Sequence, residues 1–221
     1  MKLARRKSLN GRIVGGRSQL GRALLVTAVL LCLVAPSASA HAVPDRRLGG
    51  VLGDLWTTVL QTPTPQNPFA GGDPCVDLGN ILAPLAPGAV ESCTVKRGTK
   101  IFVSAWTTEC STFEGNGSTE TELLTCARAA DQGFTTHTIA VDGQPVPVRE
   151  VQTELLHVRL PLDNIFGLTG EDRSGLSVAH GWVTLVKPLS RGTHTIEIHL
   201  AGTDASGVPF DRINRTTIIV L

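Results

Sequence analysis

The chain has 221 residues with 20 basic and 19 acidic side chains, five cysteines, no tyrosine and an aromatic content of 4%. The net charge of +1 is unevenly distributed, because seven basic and no acidic side chains lie in the first forty residues. Without those residues 13 basic and 19 acidic side chains remain, a net charge of −6. An acidic chain is a poor match for the phosphates of nucleic acid or for anionic lipid, so we expect no nucleic-acid partner.

Residues 1–40 are predicted to be a signal peptide. A basic leader precedes an apolar run at 23–35, and the small residues Ala38 and Ala40 occupy the cleavage positions. The apolar run is much shorter than the roughly twenty residues that a membrane-spanning helix needs. Cleavage is therefore favoured over anchoring, with His41 as the mature N-terminus and no stable membrane span afterwards.

Two variants of the export signal are compatible with the leader. Arg5 and Arg6 partly match a twin-arginine signal, which is an alternative to the general export route. Acylation at Cys32 is disfavoured because Leu31, rather than a small residue, precedes it. Each route predicts a protein that is secreted or held in the cell envelope.

Four cysteines remain after cleavage, and an even number in an oxidising compartment predicts two disulfides. Three pairings are possible. We favour Cys75 with Cys93 and Cys110 with Cys126, because each pair closes a short loop. A zinc site is the alternative, but the usual ligand pairs two to four residues apart are missing.

The rest of the chain predicts one all-β domain. Residues 41–54 are interpreted as a flexible lead-in and residues 55–221 as a single disulfide-bonded domain. Short apolar or alternating runs recur about every ten residues between turn residues, which is typical of an antiparallel β-sandwich, immunoglobulin-like or jelly-roll-like.

Three local patterns predict particular elements. Asp142-Gly143 indicates a hairpin turn after a strand at 136–141. Residues 182–186 and 193–200 are predicted to pair as a hairpin. Thr119 and Glu122 have the spacing of a capping box, which predicts one short helix near 119–131.

The histidines give a hypothesis about metal binding. A mature N-terminal histidine can bind copper through its amino group and ring, as in secreted β-sandwich copper proteins, so His41 is the candidate ligand. No H-x-H or H-E-x-x-H pattern occurs, and we assign no metal or cofactor. His180 and His194 are the two histidines to inspect for clustering, among His137, His157, His180, His194 and His199.

No catalytic residue is assigned from the sequence. Ser177 lies in a segment without the second glycine of a nucleophile elbow. Asp204, Ser206 and Asp211 suggest a hairpin turn more than a calcium loop. Glycoside hydrolysis needs a pair of carboxyl groups, but the acidic candidates lie in polar segments and are expected to be solvated surface residues. They are Glu109, Glu114, Glu120, Glu122, Glu171 and Asp172.

Few aromatic side chains are available to stack on the sugar rings of a carbohydrate, since the chain has three tryptophans, six phenylalanines and no tyrosine. Trp106 and Trp182 lie inside predicted strands and are interpreted as core residues. Of the three tryptophans, Trp56 is the best candidate for an exposed residue that could contact a ligand.

Several segments together have a familiar order. They include Asp73-Pro74-Cys75, Cys93-Thr94-Val95, Val141-Asp142-Gly143 and the run at 189–196. In this order the chain resembles uncharacterised secreted proteins of high-GC Gram-positive bacteria. The resemblance implies export, one domain and two disulfides, and it brings no activity and no functional residue.

The predicted function is that of an exported, non-catalytic binding or interaction protein, whose partner is an unknown protein or envelope component. The alternative is a secreted hydrolase or a copper-binding protein that uses His41. Histidines and carboxylates that converge in a cleft would favour the alternative, because catalytic groups gather in concave pockets.

Overall fold

A computed structural model of the chain describes residues 46–85, 91–204 and 206–221. The predicted signal peptide, its cleavage residues Ala38 and Ala40, and His41 lie outside the described residues. Among the helices that are described, none combines the length and the apolar character needed to cross a membrane.

The described residues form two helices and eleven strands. The α-helices are α1 (Arg46–Gln61) and α2 (Glu120–Ala129), and short 3-10 turns occur at Thr64–Gln66, Pro68–Ala70, Thr112–Glu114 and Gly170–Arg173. The strands are β1 (Cys75–Asp77), β2 (Ile81–Pro84), β3 (Glu91–Val95), β4 (Lys100–Ser111), β5 (Phe134–Val141), β6 (Gln144–Val146), β7 (Arg149–Gln152), β8 (Leu156–Arg159), β9 (Ser174–Val186), β10 (Gly192–Thr203) and β11 (Pro209–Val220).

The strands are divided between two mixed sheets. The six-stranded sheet has the order β1-β2-β4-β9-β7, with β8 also paired to β9, and the five-stranded sheet has the order β3-β11-β10-β5-β6. The predicted β-rich class is confirmed. The expectation of antiparallel sheets is wrong for two pairs, because β2 runs parallel to β4 and β3 runs parallel to β11.

The predicted hairpin between residues 182–186 and 193–200 is also wrong. The first segment belongs to β9, which pairs with β4, β7 and β8, and the second belongs to β10, which pairs with β5 and β11. Apolar alternation marks a strand with one buried face, but it does not identify the partner of that strand.

The hairpin at Asp142-Gly143 is confirmed. Both residues have positive φ angles, 50° and 76°, as a tight two-residue turn requires. The turn joins β5 to β6, and Asp142 also accepts a hydrogen bond from the backbone N–H of Thr195 at 2.9 Å. The chain then enters the six-stranded sheet at β7.

One apolar cluster draws side chains from both sheets. Its members are buried because strands of both sheets direct alternate residues into it. The six-stranded sheet supplies Leu82, Ile101, Val103 and Val186, and the five-stranded sheet supplies Ile139, Ile196, Ile218 and Val220.

Helix α1 replaces most of the predicted flexible lead-in. Its apolar residues recur at helical spacing, and Leu48, Leu52, Leu55 and Val59 are buried against Phe102 and other residues of the six-stranded sheet. The lead-in prediction is therefore wrong for residues 46–54, and a second helix adds to the single predicted one. Residues 41–45 lie outside the described part of the chain.

Helix α2 confirms the prediction of a short helix near 119–131. Thr119 accepts a hydrogen bond from the backbone N–H of Glu122, and the Glu122 carboxylate accepts one from the backbone N–H of Thr119. The backbone N–H and the hydroxyl of Ser118 also donate to the Glu122 carboxylate, and these hydrogen bonds, followed by those from Thr119, hold the pKa of Glu122 below its usual value. Leu123 and Ala127 bury the helix against β4 and β9.

Removing the cap should destabilise α2 without changing the core. Thr119→Ala is expected to lower the free energy of unfolding by about 1 kcal/mol, the usual effect of losing a threonine N-cap. Thr121→Ala is the matched control, because Thr121 is an exposed residue in the first turn of the same helix. Chemical denaturation of both variants measures the effect, and equal stabilities would contradict it.

Both predicted disulfides are confirmed. Cys75–Cys93 connects β1 of the six-stranded sheet to β3 of the five-stranded sheet. Cys110–Cys126 connects the end of β4 to α2. The first bond therefore joins the two sheets, and the second holds α2 on the sheet that it covers.

Candidate functional site

Several polar side chains meet where α2 and both sheets come together. We call this group the His180 cluster and define it as Thr108, Asp131, His137, Glu150 and His180. Thr108 and His180 are opposite each other on β4 and β9, so their side chains share one face of the sheet. Asp131 follows α2, Glu150 is on β7, and His137 is on β5.

His180 is held by two carboxylates. Its Nδ1 lies 2.6 Å from Asp131 Oδ2, and its Nε2 lies 3.0 Å from Glu150 Oε1. The side chains of His180 and Asp131 are almost fully buried, whereas that of Glu150 is 54% exposed. Since carboxylates accept hydrogen bonds, each ring nitrogen of His180 lies against an acceptor.

The second oxygen of Asp131 is also satisfied. Thr108 Oγ1 donates to Asp131 Oδ1 at 2.8 Å, and Trp106 Nε1 donates to Thr108 Oγ1 at 2.9 Å. A continuous hydrogen-bonded chain therefore runs from Trp106 through Asp131 to the surface carboxylate of Glu150. Such a satisfied network fixes the positions of its members.

Aromatic rings frame the cluster. The His137 ring stacks on Trp182 with centroids 3.8 Å apart, and His180 meets the same tryptophan edge-on at 5.1 Å. Phe134 makes edge contacts with Trp106 and with Phe210 of β11. Burial lowers the pKa of His137, and its Nε2 is buried without a hydrogen-bond partner.

The His180 cluster has only part of a catalytic arrangement. An aspartate that holds a histidine is the orienting half of a Ser-His-Asp triad. Here the other ring nitrogen faces Glu150 rather than a serine or cysteine. The geometry therefore supports a structural and charge-pairing role. Within the described residues, no group of three or more His, Cys, Asp or Glu side chains is arranged to hold a metal ion.

A second polar group surrounds Glu109 on the opposite face of β4. Ser177 Oγ donates a short hydrogen bond to the Glu109 carboxylate, and Ser111 Oγ donates to Glu114 at 3.2 Å. Burial, followed by the neighbouring Glu114 charge, raises the pKa of Glu109 to about 7, although the serine hydrogen bonds oppose the shift. The prediction that Glu109 is a solvated surface residue is therefore wrong.

The remaining histidines are dispersed. His194 pairs with Asp142 at 2.7 Å, which raises the pKa of the histidine and lowers that of the aspartate, and His199 pairs with Asp211 at 2.8 Å. Of the two histidines singled out in the sequence, His180 belongs to a cluster and His194 forms a separate pair.

His157 belongs to a shallow groove along β8 and β9. The groove has a volume of about 470 Å³, and Arg159 Nη1 donates to Ser174 Oγ at 2.9 Å inside it. Its lining residues are His157, Val158, Arg159, Ser174, Gly175 and Leu176. No residue of the His180 cluster lines this groove.

The other sequence candidates occupy structural positions. Ser177 is fully buried within β9, away from any strand-to-helix turn. Asp204 accepts hydrogen bonds from the backbone N–H groups of Ser206 and Val208, as expected for a hairpin turn. The Asp211 carboxylate instead lies 2.8 Å from Nε2 of His199.

The tryptophans differ from their predicted environments. Trp56 is 8% exposed in the α1 core and donates to Thr107 Oγ1 at 3.0 Å, so the prediction of a free surface residue is wrong. Trp106 and Trp182 are half-buried beside the His180 cluster rather than fully enclosed.

Sequence reasoning missed Asp131 and Glu150, the two acidic members of the His180 cluster. They are separated from His180 by 49 and 30 positions, so no short motif connects them. Glu150 lies in a four-residue strand and Asp131 directly follows a helix, and neither position marks a site residue in the sequence.

No family model and no curated protein matches the sequence. Among solved structures, the chain is similar to amebosin, with 12% identity, a TM-score of 0.20, and coverage of 59% of this chain and 88% of that chain. It is also similar to the C-terminal domain of the Streptococcus agalactiae AgI/II polypeptide BspA, with 10% identity and a TM-score of 0.24. That match covers 60% of this chain and 46% of the other. Neither similarity carries a functional argument.

Proposed function

We propose that this chain is an exported, non-catalytic binding or interaction protein of the cell envelope or extracellular space. The observation that carries the proposal is an outward face of the five-stranded sheet that the helices leave open, because α1 and α2 both pack on the six-stranded sheet. The export signal, the resemblance to secreted proteins of high-GC Gram-positive bacteria, and a sandwich arrangement of the two sheets belong to the same proposal.

The open face is mostly polar and includes several small side chains. We call it the threonine face and define it by the outward residues of β5, β10 and β11. Its ionic groups pair with one another, as in Arg215 with Glu197 at 2.7 Å and His199 with Asp211. The defining residues are Thr138, Thr195, Glu197, His199, Asp211, Ile213, Arg215 and Thr217.

These internal pairs favour a partner of little net charge. The charges of Arg215 and Glu197 neutralise each other, so this pair offers no strong field to attract an acidic or basic ligand. The exposed aliphatic residue at its centre is Ile213, which is 49% exposed. An apolar side chain surrounded by small polar ones suits a protein or envelope component that docks flat against the sheet.

The arrangement of the titratable groups supports a non-catalytic role. The described histidines His180, His194 and His199 pair with three different aspartates, Asp131, Asp142 and Asp211, so these histidines do not gather in one group. The hydrolase and the His41 copper protein stay alternative predictions. A copper titration of correctly processed protein tests the copper hypothesis, and stoichiometric binding would support it.

Placing a charge in the centre of the threonine face should abolish partner binding. Ile213→Lys is expected to reduce retention of the protein by isolated envelope and culture-medium components at least tenfold, because the new charge must be desolvated in the interface. Immobilised wild-type and variant proteins are compared for the amount of the same captured component.

Leu162→Lys is the matched control, because Leu162 is an aliphatic residue that is 84% exposed outside the threonine face. It should leave retention unchanged. Equal retention by all three proteins would show that the threonine face is not the binding surface, and release of product from a substrate during incubation would favour an enzyme.

A further inference from the structure

The Cys110–Cys126 disulfide closes a loop in which α2 is packed on β4 and β9, so any movement within the loop is restricted to the stretch before α2. The loop contains the 3-10 turn Thr112–Glu114, a glycine-containing stretch and most of α2. Thr112 Oγ1 accepts a hydrogen bond from the backbone N–H of Leu176 at 3.0 Å. The stretch before α2 also depends on Asn116, whose Oδ1 accepts from the backbone N–H of Ser111 at 3.1 Å.

Phe113 is the apolar attachment of this loop. Its ring lies against Gly175 of β9, where an added Cβ would come within 2.6 Å of the ring. It also stacks on Phe166 with centroids 5.8 Å apart. The two rings cover a small buried cluster that includes Leu60 and Leu160. Movement of the turn would therefore expose apolar surface.

The carboxyl pair of Glu109 and Glu114 lies at the base of the same loop. Glu109 is on β4 and Glu114 is the last residue of the 3-10 turn, so the pair joins the loop to the sheet. Ser111 and Ser177, which donate to the two carboxyl groups, are fully buried. Two neighbouring carboxylates repel each other unless one of them carries a proton.

The other elements that pack near Glu109 contribute apolar side chains to its surroundings, and their charged side chains are exposed or lie on the other face of the sheet. Helix α1 covers this face of the sheet with apolar residues, and its Asp54 is exposed. Strand β8 places Leu156 opposite Ser177, and its His157 and Arg159 alternate to the other face. The charge that acts on Glu109 is that of Glu114.

We propose that a proton held between Glu109 and Glu114 closes the disulfide loop onto the six-stranded sheet, and that loss of this proton loosens the 3-10 turn and uncovers Phe113. The protonated Glu109 hydroxyl donates to the Glu114 carboxylate while Glu109 accepts from Ser177. After deprotonation Glu114 moves outward, because it is the exposed member of the pair. The disulfide keeps both ends of the opened loop in place.

The direction of the pH dependence follows from the raised pKa of Glu109. A carboxyl group that binds its proton more tightly in the closed state favours closure at low pH. The closed loop is therefore most stable below about pH 4.5, the pKa that Glu109 has in an open loop, and it loosens as the pH rises to about 7. This inference does not depend on the proposed binding role.

Hydrogen exchange measured by mass spectrometry tests the proposal. Exchange of peptides within residues 111–118 is compared between wild type and Glu109→Gln at the same pH, so that the intrinsic pH dependence of exchange cancels. Between pH 5 and pH 7 the wild-type rate relative to the variant should rise at least tenfold, because each unit below the raised pKa changes the closed population by up to about tenfold. Above pH 7 the ratio should level off.

Glu120→Gln is the matched control, because Glu120 is an exposed glutamate in the same disulfide loop. Its exchange should follow that of wild type at every pH. A wild-type ratio that stays constant from pH 5 to pH 8 overturns the proposal.

A direct titration covers the case in which Glu109→Gln does not fold. The carboxyl carbon of Glu109, followed by NMR in the wild-type protein, should titrate with a midpoint near the pKa of about 7. A midpoint near 4.5 would overturn the proposal. Glu114→Gln, which removes the repelling charge, should move the midpoint down and slow the exchange of the loop above pH 7.

Discussion

Replacing Asp131 by alanine is expected to lower the free energy of unfolding by about 3 kcal/mol or more, the usual result of removing one partner from a buried charged pair. His180 would keep its buried position with Nδ1 unpaired, and Thr108 Oγ1 would lose its acceptor. Water has little access to repair either loss, because the His180 and Asp131 side chains are 3% and 1% exposed. Urea denaturation at constant pH gives the change in stability.

The pair of His199 and Asp211 provides the control, because it has the same chemistry at the surface. Its side chains are 34% and 73% exposed, and Asp211→Ala should change stability by less than about 1 kcal/mol. If both alanine variants lost the same stability, the His180 cluster would have no special role in holding the two sheets and α2 together.

Helix α1 should be indispensable to the domain. Leu52→Ala is expected to lower the free energy of unfolding by about 3 kcal/mol, because truncating a buried leucine removes apolar burial and leaves a cavity. Leu52 is completely buried between the helix and the six-stranded sheet. Leu162→Ala, at a position that is 84% exposed, should stay within about 0.5 kcal/mol of wild type.

A shortened chain gives a stricter test of the same helix. A protein that begins at Leu55 lacks the first part of α1, including Leu48 and Leu52. We expect it to lose the cooperative thermal transition of a chain that begins at residue 41. If residues 41–54 were a dispensable lead-in, the shortened protein would retain that transition at the same temperature, and the packing of α1 would be irrelevant to stability.

The features that the sequence predicted correctly are local ones. The capping box of Thr119 and Glu122 and the turn at Asp142-Gly143 depend on residues within a few positions of each other. The two disulfides also close short loops. Local geometry restricts the conformations that such segments can adopt, so their residue types are informative without knowledge of the rest of the fold.

Helix α1 was not predicted, and its three glycines at positions 49, 50 and 53 are residues of low helix propensity. The structure gives one of them a packing role, because a Cβ at Gly49 would clash with the carbonyl oxygen of Gln152 on β7. Glycine lowers helix propensity, but it also lets the helix approach the sheet closely. The apolar spacing of Leu48, Leu52 and Leu55 was the stronger signal.

The His180 cluster and the sheet pairing depend on contacts between distant parts of the chain. Asp131, Glu150 and His180 come from three separate elements, and β9 and β10 are consecutive strands that enter different sheets. Patterns in a single sequence indicate which residues are buried. Many different strand orders would bury the same residues, so these patterns do not identify the pairing. Glu109 was expected to be solvated for the same reason, since its hydrogen-bond partner Ser177 is 68 positions away in the sequence.

The parallel pairing of β3 with β11 affects the order in which the protein can fold. In a chain that emerges from its N-terminal end, β3 is made long before the final strand that hydrogen-bonds to it. Contacts between such distant segments slow folding, because a long loop must close first. Cys75 and Cys93 are 18 positions apart and can join early. Once formed, their bond keeps β3 beside the first strands until β11 pairs with it.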